Sequence, residues 1–251
     1  MVFNAAIALV SVLAMYEFLS LGRHKGYEIP MTLCIAIMLI IMGAFILEDL
    51  SVEVGMFTAL LFIPASYVFS KRPLEDSLPS SAIAVLGTTY VGLLGGSLIR
   101  LRNDFDNGSK LVFFLLLVVW LGDSGAYYVG KKFGRHKLSP RISPKKTIEG
   151  LAGGMAMSIL TAVVIHFTFF REFPLHHAVV AGAILSVAGV IGDLAESMWK
   201  RSADVKDSGS LLPGHGGFFD RFDSILFTAP ILYIYWTLIV RGFRSLNIMS
   251  G

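Results

Sequence analysis

Eight apolar stretches, each 16 to 20 residues long, run through the 251-residue chain and leave few folds open to it. They are approximately Val2–Leu21, Met31–Leu47, Val54–Phe69, Ala82–Ile99, Leu111–Tyr128, Leu151–Phe170, Ala178–Leu194 and Ile225–Val240. A helix crosses the hydrocarbon layer with about 20 mainly apolar residues, and about 17 is a lower bound, so the third and eighth stretches are short. Inside lipid every backbone N–H and C=O must be paired within the segment, which makes helices the default. An apolar share of 55% and a charged share of 16% lie outside the range of ordinary soluble domains. The expected fold class is therefore all-α: a polytopic integral membrane protein with about eight transmembrane helices. Met1–Asn4 carries no basic residue and no A-x-A site follows, so the first span reads as an uncleaved helix rather than a signal peptide.

The distribution of Lys and Arg orients these spans. Loops after the first, third, fifth and seventh spans hold 15 of the 21 basic residues, and the alternate loops with the C-terminal tail hold 6. The first set is expected on the cytoplasmic side, in a cell membrane, with both termini outside. The net charge of +3 is spent on this asymmetry and does not point to nucleic acid. The single cysteine, Cys34, lies in an apolar run, which excludes a disulfide framework and a thiolate metal site. No repeat or linker divides the chain. Residues 1–251 read as one transmembrane domain, with N-terminal helices over 1–110 and the functional helices and loops over 111–251.

One cytoplasmic stretch, Ile191–Asp223, holds six acidic residues and four Lys or Arg between apolar segments. Asp193, Glu196, Ser197 and Lys200 fall at i, i+3, i+4 and i+7, one face of a helix. Asp220 and Asp223 repeat the i, i+3 spacing after the turn Pro213-Gly214-His215-Gly216-Gly217. Carboxylates at the end of a span are costly in lipid and usually have partners. Without histidines at zinc spacing, convergent Asp193 and Asp220 are hard oxygen donors suited to Mg2+. The glycines let a ligand approach backbone N–H groups, and Lys200, Arg201, Lys206 and Arg221 add positive charge. The combination points to a metal-bridged polyphosphate. His215 reads either as a turn residue or as a contact to a phosphate or nucleotide.

A second basic loop supports the same chemistry. In Ser143-Pro-Lys145-Lys146-Thr-Ile-Glu-Gly150, Ser143 is a plausible N-cap and Pro144 a first helical residue, so a helix is expected to begin there and offer free N–H groups beside Lys145 and Lys146. Positive-inside anchoring is the plainer alternative, and it covers Lys131, Lys132, Arg135 and Lys137. Asp123, near the end of the fifth span, either joins the metal site or snorkels and pairs with the following Lys-Lys. Glu17 could face the same polar cavity, although a snorkelling side chain is the simpler expectation. No P-loop, G-x-S-x-G elbow or H-E-x-x-H is present.

The run Ser197-x2-Lys200-Arg201-x4-Lys206-Asp207-x-Gly209-x2-Leu212-Pro213-x-His215-Gly216-Gly217-Phe218-x-Asp220-Arg221-Phe222-Asp223 closely resembles the signature of the phosphatidate cytidylyltransferase (CDP-diacylglycerol synthase) family. The resemblance extends to Gly192-Asp193-Leu194-x-Glu196, to Asp123-Ser-Gly-Ala-Tyr127, to Ser143-Pro-Lys-Lys-Thr147 and to the triplet Tyr16-Glu17-Phe18. Trp199 departs from the family's usual aliphatic residue or Phe, and the chain begins near what resembles the family's second hydrophobic segment. The resemblance implies a transferase that moves CMP from CTP to phosphatidate, releasing pyrophosphate, in a cytoplasm-facing polar cavity open to the bilayer. It implies Mg2+, with a second cation as an option, held by Asp193, Asp220, Asp223, Asp123 and Glu196. Lys200, Arg201, Lys206, His215 and Arg221 would act in catalysis. Lys145, Lys146, Ser197, Gly216, Gly217 and Asp207 would bind substrate. CTP and phosphatidate are the expected substrates, and a homodimer is a candidate assembly. Three rivals stay open: a CTP-dependent isoprenoid lipid kinase, a CDP-archaeol-type synthase, and a cation-coupled transporter built on Asp123 and Asp193.

Overall fold

The computed structural model describes residues 1–70, 73–209 and 216–241, so His215 lies outside the described residues. Helices form at all eight apolar stretches: α1 (Val2–His24), α2 (Met31–Gly43), α3 (Val52–Val68), α4 (Leu74–Asn103), α5 (Gly108–Phe133), α6 (Ile148–Thr168), α7 (Leu175–Ser202) and α8 (Phe219–Tyr235). A π-helical segment, Trp236–Arg241, continues α8. Six of these, counting α8 with its continuation, are long and apolar enough to cross a membrane. The other two, α2 with 13 residues and α3 with 17, are shorter. At about 1.5 Å per residue α2 is only about 20 Å long, which falls short of a hydrocarbon layer of about 30 Å. The chain is thus an all-α polytopic membrane protein.

Two compact units divide the chain. One comprises Met1–Arg100 with Met198–Phe222, and the other Leu101–Ser197 with Asp223 onward, so that α4, α7 and α8 each pass from one unit to the other. In the first unit α1 and α4 approach closely at Gly87, where a Cβ would run into the Phe18 ring. That ring meets Trp199 and Phe219 edge-on, with centroids 5.2 and 5.6 Å away, and Trp199 also meets Tyr90 at 5.0 Å. Such aromatic contacts supply close packing where lipid removes the hydrophobic drive between helices.

In the second unit α5 and α6 pack through small residues. A Cβ on Gly122 would overlap the Ser158 hydroxyl, which donates to the Val118 carbonyl at 3.0 Å. Gly182 of α7 lies against Ser158 and Ala162 of α6, and Gly192 of α7 against Asp223 and Phe227 of α8. Glycine and serine allow backbones this near one another, and van der Waals contact between them is what holds helices together in lipid.

The connection from α5 to α6 corrects one expectation. Ser143 does not cap a helix: β2 (Ser143–Thr147) pairs antiparallel with β1 (Lys137–Ser139), with Lys137 opposite Thr147 and Ser139 opposite Ser143. The cap is Thr147, whose hydroxyl accepts from the Gly150 N–H at 3.1 Å. Glu149 reinforces the start, accepting from the Arg135 and His136 N–H groups and pairing with His136 Nδ1 at 2.6 Å. The helix therefore begins four residues later than Ser143-Pro144 suggests. Extended backbone then sends Lys145 and Lys146 to opposite faces, because strand side chains alternate.

Candidate functional site

Three carboxylates converge within the second unit. Asp193 and Glu196 stand one turn apart on α7, and Asp223 belongs to α8; one oxygen from each lies within 4.8 Å of the others. Glu196 and Asp223 are buried, at 1% and 7% exposure. Close packing at Gly192 against Asp223 and Phe227 is what lets α7 and α8 bring these side chains together. Like charges at that spacing repel by roughly 3 to 4 kcal/mol per pair at an effective dielectric of about 20, so the cluster calls for a cation or a proton.

One cation of the chain is already beside it. Lys146, on the inward face of β2, places Nζ 2.6 Å from Asp193 Oδ2. The Ser197 hydroxyl donates to Asp193 Oδ1 at 3.2 Å, fixing that carboxylate from the next turn of α7. Asp223 Oδ1 accepts from the Ser224 N–H at 2.6 Å. Asp123 of α5 lies within electrostatic range of Asp193, Asp223 and Lys146. It lines a cavity of this unit together with Gly122, Gly154, Ser158, Ser186 and Gly189. The Lys-Lys pair after it is occupied elsewhere: Lys131 stands over the Tyr127 ring and Lys132 over Phe133. An all-oxygen set of three carboxylates, with a lysine on one edge, matches the donor chemistry of a hard divalent cation.

The first unit holds the other charged part of the signature. Lys200 Nζ meets Asp220 Oδ1 at 2.5 Å, both side chains being about nine-tenths buried. Asp220 Oδ2 accepts from the backbone N–H groups of Ser208 at 3.0 Å and Gly217 at 2.8 Å. Gly216 has φ +80°, a left-handed conformation that glycine adopts without strain. Arg201, Lys206, Asp207 and Arg221 are exposed, with Arg201 donating to the Val205 carbonyl at 3.2 Å. Lys145 is exposed in the second unit.

Glu17 departs from the simpler expectation for it. It does not snorkel: it is 1% exposed, and its Oε2 accepts from Ser208 Oγ at 3.0 Å and from the Phe219 N–H at 2.8 Å. Its partners follow 191 and 202 residues later, beyond the reach of any local pattern. The Tyr16-Glu17-Phe18 triplet was the only available signal.

The family model described as the cytidylyltransferase family matches residues 1–239. A phosphatidate cytidylyltransferase of Bacillus subtilis is 34% identical over 242 residues, covering 94% of this chain and 89% of the relative. A protein of the same name from Staphylococcus haemolyticus is 38% identical over 231 residues, covering 90% and 86%. One from Staphylococcus aureus is 37% identical over 242 residues, covering 93% and 88%.

Proposed function

The chain belongs to the cytidylyltransferase family, and we propose on that premise that it transfers CMP from CTP to phosphatidate in a cell membrane, giving CDP-diacylglycerol and pyrophosphate. A phosphate oxygen of the lipid attacks the α-phosphorus of CTP; the new P–O bond forms as the α–β bridging P–O bond breaks, and pyrophosphate leaves with that electron pair. The nucleophile is anionic near neutral pH, so no serine or cysteine need be activated. The task left to the protein is to bring two anions together and to balance the charge that develops.

The observation that carries this reading is the convergence of Asp193, Glu196 and Asp223 beside Lys146. These carboxylates, with Asp123 in electrostatic range, suit Mg2+. When bound, Mg2+ would supply charge neutralisation on the phosphates of CTP. Lys146 orients Asp193 and is positioned to share its charge with a phosphate, and Ser197 holds the same carboxylate from the other side. Exposed Lys145 adds positive charge to the second unit, and exposed Arg201, Lys206 and Arg221 add it to the first. Asp220 anchors its own stretch of chain through Lys200, Ser208 and Gly217. The basic loops argue for a site on the cytoplasmic side, where CTP is found.

Purified protein supplied with CTP, phosphatidate and Mg2+ should release pyrophosphate and CDP-diacylglycerol in equal amounts. EDTA should stop both, and added Mg2+ should restore them. Turnover that persists in EDTA would remove the metal role, and CTP left intact beside phosphatidate would remove the reaction.

A further inference from the structure

We propose that Glu17 is a positioning residue of the transfer reaction, its buried carboxylate on α1 fixing the two described ends of the signature stretch, Ser208–Gly209 and Gly216–Phe219. The assignment rests on the function proposed above. Oε2 ties the ends together by accepting from Ser208 Oγ at 3.0 Å on one side and the Phe219 N–H at 2.8 Å on the other. Phe219 opens α8, so its N–H is one of the donors that a helix leaves unpaired, and a carboxylate at a helix start is electrostatically favoured.

The glycines of the stretch are shaped to this carboxylate. A Cβ on Gly209 would stand 2.5 Å from Oε1 and 3.0 Å from Cγ of Glu17, and one on Gly217 would overlap Oε2. Asp220 grips the same two ends through the Ser208 and Gly217 N–H groups. Two carboxylates, one from α1 and one from α8, thus hold Ser208 on one side and Gly217 with Phe219 on the other. Oε1 of Glu17 is buried with no hydrogen-bond partner among the described residues. Burying a carboxylate carries a desolvation cost that an apolar side chain would not. Next to it, Phe18 already supplies apolar contact to Trp199 and Phe219. What Glu17 adds is the fixed placement of Ser208 and Phe219, and through them of the Lys200–Asp220 pair.

The test is steady-state kinetics in mixed micelles with CTP and phosphatidate varied separately, on protein that elutes as a single species in detergent. E17A should lower kcat/KM for CTP roughly 100-fold, the order expected of a misplaced catalytic frame, with the KM for phosphatidate unchanged. E17Q, which keeps an acceptor oxygen, should recover at least about tenfold of that loss. G209A approaches the contact from the other side and should reproduce the CTP defect should E17A fail to fold. In E17A/G209A the loss should be no greater than in E17A, because the space that the methyl group added at position 209 needs has been vacated. Wild-type kcat/KM in E17A, a raised KM for phosphatidate, or multiplying losses in the double variant would overturn the assignment. Wild-type protein that makes no CDP-diacylglycerol would instead overturn the reaction, and Glu17's role in it.

Discussion

Asp193, Glu196 and Asp223 repel one another when all are charged, so removing one charge should affect turnover far more than folding. D193N and D223N keep the shape of the side chain. Each is expected to lower kcat by about 100-fold or more, as loss of a charge-stabilising group does, while elution from gel filtration is unchanged. Lys146 acts on the same site through Asp193, 2.6 Å away. K146M should reduce turnover roughly 10- to 100-fold and raise the Mg2+ concentration needed for half-maximal activity, as loss of a residue orienting a metal ligand does. An unchanged Mg2+ dependence would separate Lys146 from the metal. At this scale the sequence was partly legible. The i, i+3 relation of Asp193 and Glu196 is a property of one helix and could be read directly. The addition of Asp223 depends on how closely α7 and α8 approach at Gly192, and the burial of Glu17 on contacts 191 and 202 residues away, neither of which any local spacing encodes.

Among the elements, the β1–β2 hairpin departs most from what its residues suggest. Ser-Pro is a common helix opening, and Lys145-Lys146-Thr147 lacks the alternation of apolar and polar residues that marks a half-buried strand. Hydrogen bonds decide the matter: Thr147 caps α6 locally through the Gly150 N–H, and Glu149 holds the Arg135 and His136 N–H groups in place. T147V keeps the volume and removes the cap, and should cost about 1 kcal/mol of stability, read as a lowered unfolding temperature in detergent. S143A should leave that temperature unchanged, whereas a helix capped by Ser143 would make S143A the damaging variant. The α5–α6 contact is tighter still. G122V would drive a side chain into Ser158, and is expected to destabilise the protein more than T147V does.

Across the described residues hydropathy located every helix, because a span that pairs its own backbone in lipid is helical. Length was less legible: α2 stops at Gly43, four residues before its apolar stretch ends, while α3 is short as expected and α8 gains length from its π-helical continuation, so six helices of spanning length form among the described residues. Removing two consecutive spans would leave every later loop on its original side. Cys34 is fully buried and should give no background, so single cysteines can report the topology. K145C should react with a membrane-impermeant maleimide only in inside-out vesicles, and E172C, in the loop between α6 and α7, only in right-side-out vesicles. The reverse pattern would put the site away from CTP.

The most direct measurement follows the two ends of CTP. With phosphatidate and Mg2+, label at the α-phosphate should enter the lipid and label at the γ-phosphate should leave as pyrophosphate. Label at the γ-phosphate recovered in the lipid, with CDP released, would mark a kinase and contradict the proposed transfer of CMP.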